Sequence, residues 1–241
     1  MPNKYKNILL TRDLEGNALW GDQLKVNGFK TTKLPCIYFL EFKFTEQQVS
    51  EITKRLLASD YIIWTSVRGV HFSKKFLSEC TSFPKLCAVG LSTAQALSHV
   101  LAQPYLISEE MNANGLAKKI LSTEVITGKK ITLLLAKNAP NYLENILLAE
   151  GAKVERIDIY ETKPVNVKGR STLSSLNVDA VIIASPSAID GLLNQYEIDL
   201  SIDIYPIGPT TKMKLESLGL KCKNIPKHPG IEGIIEEITC Q

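Results

Sequence analysis

Residues 86–97 read Leu-Cys-Ala-Val-Gly-Leu-Ser-Thr-Ala-Gln-Ala-Leu, an apolar strand pattern that changes to a helical pattern at Gly90. Because glycine has no Cβ, it allows a sharp backbone turn directly after a buried strand. The Ser92 and Thr93 hydroxyls then stand where they can cap the helix, and the first amides of a helix attract anions. The stretch therefore predicts a strand, a tight turn and a helix with an anion site at its start.

The chain contains this pattern twice. Residues 204–215 read Ile-Tyr-Pro-Ile-Gly-Pro-Thr-Thr-Lys-Met-Lys-Leu, and Gly208 and Thr211 follow Gly90 and Thr93 by 118 positions. Four further segments recur in the same order at offsets between 118 and 125 positions: residues 8–12 at 133–137, 24–29 at 147–152, 60–66 at 179–185, and 114–116 at 232–234. A shared offset over so many segments predicts a duplicated α/β unit.

Composition narrows the class of partner. The chain has 241 residues, of which 44% are apolar and 22% are charged, as is ordinary for a globular protein. The duplication favours two lobes over one large domain. A net charge of +3 without basic runs gives no electrostatic reason to expect nucleic acid binding, and it is compatible with an acidic small molecule.

The cysteines and the N-terminus bear on location. Five scattered cysteines without a Cys-x-x-Cys pair favour neither a disulfide framework nor a zinc site, and they fit a reducing cytosol. Residues 1–6 run directly into a predicted strand without an apolar signal region. No apolar run approaches the roughly 18 residues that a membrane span requires. These features predict a cytoplasmic protein with no membrane partner.

Strand and helix patterns alternate along the chain, which predicts an α/β fold with open parallel sheets flanked by helices. The first helix is expected from about Asn17, and Thr45 and Gln48 have the spacing of a capping box at the start of the next helix. Two segments, residues 36–42 and 154–160, are predicted to be long and extended.

Open parallel sheets bind ligands beyond the carboxyl ends of their strands, so the residues that follow each strand are the candidate binding residues. They are Thr11, Arg12, Thr65, Ser66, Arg68, Gly90, Ser92, Thr93, Lys137, Ser185, Ser187, Gly208, Thr210 and Thr211. This set contains hydroxyls, turn amides and three cations but no histidine or carboxylate. It therefore lacks the base of a hydrolytic serine, the ligands of a metal centre and the Gly-x-Gly-x-x-Gly pattern of a dinucleotide site.

The candidate set predicts a cleft of hydrogen-bond donors for a polyanion. Each member also has a purely structural interpretation. The glycines can be simple turn residues, the serines can be helix N-caps, and the cations can be solvated surface charges.

Six segments match a known family in their order and spacing. They are residues 10–12 (Leu-Thr-Arg), 64–70 (Trp-Thr-Ser-Val-Arg-Gly-Val), 89–94 (Val-Gly-Leu-Ser-Thr-Ala), 151–152 (Gly-Ala) with 159–162 (Ile-Tyr-Glu-Thr), 184–188 (Ala-Ser-Pro-Ser-Ala) and 207–211 (Ile-Gly-Pro-Thr-Thr). On these residues the chain resembles the uroporphyrinogen-III synthase family over nearly its whole length. It departs from the family pattern at Leu91-Ser92, at Lys137-Asn138 and at Asp203, before the strand that contains Ile204.

The resemblance implies two similar lobes joined by a two-stranded hinge, with a cleft between the lobes. Lobe one would comprise residues 1–36 and 163–241, and lobe two residues 37–162. The hinge strands would lie near residues 36–42 and 154–162.

The resemblance also implies an activity. The family cyclises hydroxymethylbilane, a linear tetrapyrrole with eight carboxylates, to uroporphyrinogen III. The terminal pyrrole is inverted through a spiro intermediate, water is lost, and neither cofactor nor metal is used. Tyr160 matches the family's hinge tyrosine and is the expected catalytic residue, whereas its counterpart in the first copy is Ile37. A monomer is expected, with at most a transient contact to the preceding enzyme of haem biosynthesis.

Two other classes of function fit parts of the pattern. One is a two-lobed cytoplasmic protein that binds a polyanionic small molecule without catalysis, which tight retention of an unconverted ligand would indicate. The other is a nucleotide- or sugar-phosphate-using enzyme of Rossmann-like type, for which the glycine fingerprint is the discriminating feature.

Overall fold

The computed structural model describes residues 5–78, 80–108, 110, 112–198, 202–228 and 230–239. The chain divides into two compact units, unit 1 with Met1–Phe39 and Thr162–Gln241, and unit 2 with Leu40–Glu161. The sequence analysis placed the corresponding boundaries after residues 36 and 162.

The elements follow one another in a strand–helix alternation. In chain order they are β1 (Asn7–Leu10), α1 (Leu14–Val26), β2 (Lys30–Lys33), β3 (Ile37–Glu41), α2 (Glu46–Leu57), β4 (Tyr61–Trp64), α3 (Val67–Leu77), β5 (Lys85–Val89), α4 (Gly90–Val100), β6 (Leu106–Ser108), α5 (Ala113–Thr123), β7 (Lys130–Ala136), α6 (Tyr142–Ala149), β8 (Lys153–Pro164), β9 (Ser171–Thr172), a 3-10 turn (Leu173–Leu176), β10 (Ala180–Ile183), α7 (Pro186–Gln195), β11 (Tyr196–Glu197), β12 (Asp203–Pro206), α8 (Pro209–Ser217) and α9 (Ile231–Thr239).

Unit 1 is built on a four-stranded sheet in the order β12-β10-β1-β2, and all of its neighbouring strands are parallel. Both faces of the sheet are covered. Leu9 and Val181 pack with residues of α7 and α8 on one face, whereas Ile8 and Leu10 pack with residues of α1 and α9 on the other. Continuous apolar strands of this kind are typical of a parallel sheet that is buried on both sides.

Unit 2 contains most of a six-stranded sheet in the order β3-β8-β7-β4-β5-β6, in which strands β4 to β8 pair in parallel. Ile63 and Leu133 pack on one face with residues of α5 and α6. On the opposite face the Trp64 indole nitrogen donates a hydrogen bond of 2.8 Å to Ser73 of α3. The prediction of an α/β fold with parallel sheets flanked by helices is confirmed.

The two sheets share one strand order. The order β12-β10-β1-β2 in unit 1 corresponds to β5-β4-β7-β8 in unit 2, strand for strand at the repeat offsets. Each unit therefore combines the opening part of one sequence copy with the closing part of the other. A turn contact is repeated as well, because Asp60 accepts the Lys130 amide and Asp179 accepts the Asn7 amide, both at 2.8 Å.

One of the repeat pairings was wrong by two residues. Asn7 pairs with Lys30 and Lys130 pairs with Lys153, so the offset between β1 and β7 is 123 positions rather than 125. A shift by two residues preserves the side of the strand on which each side chain lies. For that reason the apolar pattern did not distinguish the two alignments.

The helix starts were predicted with mixed success. The capping box is confirmed, because the Gln48 amide donates to Thr45 Oγ1 at 3.3 Å and the Thr45 amide donates to Gln48 Oε1 at 2.8 Å. The first helix instead begins at Leu14, three residues before Asn17, and its N-cap is Asp13. Asp13 Oδ2 accepts the Gly16 amide at 3.3 Å, which satisfies one amide of the first turn.

Two further features concern cysteines and membranes. Cys36, Cys80, Cys87 and Cys222 are free thiols, and Cys240 lies outside the described residues. Over the part of the chain that the structure describes, no helix has both the length and the apolar character needed to cross a membrane.

Candidate functional site

The predicted binding residues lie at the carboxyl edge of their own sheets. In unit 1 they follow β1, β10 and β12, and they are Thr11, Arg12, Ser185, Ser187, Gly208, Thr210 and Thr211. In unit 2 they follow β4, β5 and β7, and they are Thr65, Ser66, Arg68, Gly90, Ser92, Thr93 and Lys137. Because the strands of each sheet are parallel, each set shares one edge. Tyr160 lies in β8 of unit 2.

Two serines of the candidate set are helix N-caps at equivalent positions. Ser66 Oγ accepts the Gly69 amide at 3.0 Å at the start of α3, and Ser185 Oγ accepts the Ala188 amide at 3.2 Å at the start of α7. Their structural interpretation therefore holds. Ser66 has an additional partner, since the Tyr160 hydroxyl lies 3.1 Å from its Oγ.

The sharp turn that was predicted at Gly90 is confirmed, whereas the predicted side-chain caps of the following helix are not. Helix α4 begins at Gly90 itself, which has a positive φ of 76°, and its N-cap Val89 provides no side-chain cap. At α8 the N-cap is Gly208, with an extended φ of −161°, and again no side chain caps the helix. The prediction that the hydroxyls of Ser92 and Thr93 cap α4 is wrong, because both residues lie inside the first helical turn.

The paired hydroxyl residues divide in the same way in both copies. Ser92 and Thr210 are exposed, whereas Thr93 and Thr211 are buried, with only 4% and 2% of their surface accessible. The second hydroxyl of each pair therefore packs beneath the helix start. The first hydroxyl of each pair faces solvent at the uncapped helix start, whereas Gly90 is buried and Gly208 is half-buried.

Thr11 and Arg12 follow β1 in unit 1. Thr11 is fully buried, and its Oγ1 donates to the Ile182 carbonyl at 2.8 Å, so this hydroxyl holds neighbouring strands together. The Arg12 guanidinium carbon lies 4.3 Å from the centre of the Trp20 ring, a cation–π contact. Arg12 is therefore packed against α1, which the interpretation as a solvated surface charge did not anticipate.

Tyr160 is the centre of the polar cluster in unit 2. Its side chain is 5% exposed, its hydroxyl lies against Ser66, and its ring lies 5.2 Å from the Phe72 ring. Burial raises the pKa of the Tyr160 phenol above its ordinary value, and this effect outweighs the Ser66 hydrogen bond and the Arg68 charge, which both lower it. The phenol therefore stays protonated at neutral pH and can act as a proton donor.

A carboxylate that the sequence analysis missed lies beside this cluster. Glu161 Oε2 is 3.9 Å from Lys137 Nζ, and the Lys137 amide donates to the Tyr160 carbonyl at 2.7 Å. Glu161 was not among the predicted residues, because it lies within β8 and not directly after a strand. The available signal was that Glu161 directly follows Tyr160 in the extended segment.

Metal-binding clusters and surface grooves were also considered as candidate sites. No group of three or more His, Cys, Asp or Glu side chains placed to hold a metal ion occurs among the residues that the structure describes. A groove of about 550 Å³ between α2 and β8 in unit 2 contains none of the predicted site residues. Its lining includes Phe44, Ile52, Arg55 and Arg156.

Comparison with known proteins gives one consistent result. Residues 20–236 match the family model described as uroporphyrinogen-III synthase HemD. The chain is 26% identical to the chloroplastic uroporphyrinogen-III synthase of Oryza sativa subsp. japonica, over 96% of this chain and 79% of that protein. It is 23% identical to the porphyrin biosynthesis protein HemD of Ruminiclostridium josui, over 77% of this chain and 38% of that longer protein.

Solved structures share the fold. The uroporphyrinogen-III synthetase of Helicobacter pylori matches with a TM-score of 0.64 at 19% identity, over 98% of this chain and 99% of that one. A mutant uroporphyrinogen III synthase of Thermus thermophilus matches with a TM-score of 0.62 at 16% identity, over 96% of each chain. Because the family match covers most of the chain, the protein belongs to the uroporphyrinogen-III synthase HemD family, whose members are cyclising lyases of haem and tetrapyrrole biosynthesis.

Proposed function

We propose that this chain is a uroporphyrinogen-III synthase that cyclises hydroxymethylbilane to uroporphyrinogen III with loss of water and without a cofactor. The observation that carries the proposal is the Tyr160 cluster, a protonated buried phenol held by Ser66 near Arg68 and Lys137, in a chain of this family. The polar carboxyl edges of both sheets form the proposed binding surface.

The substrate is proposed to bind at the polar carboxyl edges of the sheets, with its acetate and propionate groups at helix starts. The uncapped starts of α4 and α8 support this proposal, since their first amides form a favourable site for a carboxylate. The proposed binding residues are Arg12, Thr65, Ser66, Arg68, Gly90, Ser92, Lys137, Ser185, Ser187, Gly208 and Thr210. Thr11, Thr93 and Thr211 support these turns from the buried side.

The main task of the enzyme is positioning. The linear tetrapyrrole closes unaided to the unrearranged type I isomer, so the protein must hold the chain with the substituted carbon of the terminal pyrrole next to the hydroxymethyl carbon. In the proposed reaction the Tyr160 phenol donates a proton to the departing hydroxyl, and the carbon–oxygen bond breaks with release of water. The substituted pyrrole carbon then forms the new carbon–carbon bond of the spiro intermediate, whose rearrangement inverts the terminal pyrrole. The proton that leaves the pyrrole carbon at the final ring closure restores the Tyr160 phenol.

The surroundings of the enzyme are also part of the proposal. We place the protein in the cytoplasm as a monomer, with a transient contact to the enzyme that supplies its unstable linear substrate. The absence of basic runs in a chain of net charge +3 supports a small-molecule partner over a nucleic acid.

The test is a product analysis. Purified protein is mixed with freshly generated hydroxymethylbilane, the products are oxidised, and the type I and type III isomers are separated. A clear excess of type III over a protein-free control supports the proposal. Only type I product would overturn it, and tight retention of the unconverted ligand would instead indicate a binding protein.

A further inference from the structure

Arg156 of β8 has a saturated guanidinium group. Its side chain is 14% exposed, and all five of its N–H donors have a partner within unit 2. Nε donates to Asp158 Oδ1 at 2.7 Å, Nη1 donates to the Ala139 carbonyl at 3.1 Å and Asn141 Oδ1 at 2.6 Å, and Nη2 donates to the carbonyls of Ala136 at 2.8 Å and Lys137 at 3.0 Å.

These bonds distinguish Arg156 from a cation that binds substrate. Every donor is directed at the protein, so the guanidinium can bind a substrate carboxylate only by giving up a bond to the loop that follows β7. The Lys137 side chain, in contrast, is 59% exposed. A lysine at position 156 has three donors on one nitrogen and cannot span the same acceptors.

The loop that Arg156 holds is joined to Tyr160. The Lys137 amide donates to the Tyr160 carbonyl at 2.7 Å, directly after a register shift between Leu135 and Ala136. At this shift Ala136 pairs with Tyr160, whereas Leu135 pairs with Asp158. An irregularity of this kind changes the direction in which the neighbouring side chains point. Because the loop backbone is bonded to Tyr160 at this irregularity, its position determines the direction of the Tyr160 side chain.

The equivalent loop in unit 1 is held by a different residue. Asn17 is fully buried, its Oδ1 accepts the Arg12 amide at 2.8 Å, and its Nδ2 donates to the Arg12 carbonyl at 3.2 Å. Both loops follow equivalent strands, β1 and β7, and both carry a candidate binding cation. A buried side chain that fixes the backbone of such a loop is thus present in each unit.

We propose that Arg156 is a positioning residue of the reaction, one that acts through the loop of residues 136–141 to hold Lys137 and Tyr160 in place without touching the substrate. The expected effects on kcat and KM rest on the proposed function. Its structural part, the order of the loop, is independent of which reaction the protein catalyses.

The test compares Arg156→Lys and Arg156→Met with Lys153→Met, a control at an exposed position of the same strand. We expect both Arg156 variants to lower kcat by about 10- to 100-fold, since small misplacement of a reacting group has effects of this size. KM for hydroxymethylbilane should rise by less than about threefold, because the displaced Lys137 is only one of many groups proposed to bind the eight carboxylates. The control should match the wild type.

Hydrogen exchange supplies a readout that does not depend on activity. In both Arg156 variants the amides of residues 137–139 should exchange at least about tenfold faster, while those of β5 stay unchanged. If one variant fails to fold, Asn141→Ala, which removes a single acceptor at the end of the loop, should give the same change in smaller measure.

The outcomes separate the two proposals. A higher KM with unchanged kcat would mean that Arg156 binds substrate directly, and unchanged loop exchange would mean that it does not hold the loop. Either result overturns the positioning role. A wild-type protein that forms no type III isomer overturns the proposed function, while the exchange experiment still decides whether Arg156 orders the loop.

Discussion

Tyr160→Phe removes one oxygen atom from the centre of the proposed site and leaves the ring in place. The ring contact with Phe72 is kept, and Ser66 Oγ still accepts the Gly69 amide at 3.0 Å at the start of α3. What is lost is the 3.1 Å hydrogen bond between the Tyr160 hydroxyl and Ser66, together with the proposed proton donor. The substitution therefore separates chemistry from packing.

The two effects differ in size. A single intramolecular hydrogen bond contributes about 1 kcal/mol to the free energy of unfolding, which corresponds to a fall of about 2–4 °C in Tm for a chain of this size. A positioned proton donor contributes roughly 100- to 10,000-fold to a rate, which is about 3–5 kcal/mol of activation free energy. We therefore expect a nearly intact fold and a large loss of type III formation.

The assay measures the initial rates at which the wild type and Tyr160→Phe form the type III and type I isomers. The enzyme concentration is chosen so that the wild-type reaction is faster than spontaneous closure. Wild-type activity should fall at high pH only above the ordinary phenol pKa of about 10, because burial raises the pKa of Tyr160 and the protonated form is the active one. Equal type III turnover by the two proteins would refute the role of the phenol.

Three further predictions test the helix starts of the site and the packing of α7. Ser66→Ala should lower the free energy of unfolding by about 2 kcal/mol and Ser185→Ala by about 1 kcal/mol, because only Ser66 also forms a hydrogen bond with Tyr160. Equal losses of stability in urea titrations would contradict this expectation. Gly208→Ala should change the free energy of unfolding by less than about 0.5 kcal/mol, because no neighbouring atom lies within 4 Å of the added Cβ. It should nevertheless raise KM for hydroxymethylbilane if a substrate carboxylate approaches the backbone at this position. Gly191→Ala should cost about 3 kcal/mol or more, because its Cβ would lie 1.8 Å from the Cys36 carbonyl oxygen, and a normal Tm would count against the close packing of α7.

The α/β fold class and the duplication could be predicted from the sequence, because both are indicated by local patterns. Strand and helix patterns, the capping box at Thr45 and the turn glycines each depend on a few neighbouring residues. The order of the strands was not predicted, because alternating elements indicate parallel sheets without showing which strands are neighbours. The division of each copy between the two units was not visible in this way, because the local sequence of β3 and β8 does not show where the chain passes from one unit to the other.

The details of the site were harder to predict because they depend on contacts between distant residues. Ser92 and Thr93 were assigned as caps from composition, but the exact start of α4 at Gly90 places both inside the helix. Likewise, Arg156 has no motif around it, and its role depends on five acceptors brought together by β7, β8 and the loop between them. Local pattern identifies a cation without showing where its donors point.

The duplication separates positions that the fold requires from positions that the chemistry requires. Ser66 and Ser185 cap equivalent helices, and Thr93 and Thr211 are buried at equivalent starts, so packing and capping explain their occurrence in both copies. Tyr160 has no such explanation. Its counterpart Ile37 is 7% exposed and belongs to the apolar core of unit 1.

An aliphatic side chain therefore satisfies the packing at the position equivalent to Tyr160, and a buried hydroxyl there adds a desolvation cost that only a hydrogen bond offsets. The same reasoning applies to Arg156, whose counterpart at the offset of 123 positions is the exposed Lys33. In unit 1 the loop after β1 is held by Asn17 instead. The phenol and the guanidinium that holds its loop thus occur together in one copy only, as expected if both serve the reaction rather than the scaffold.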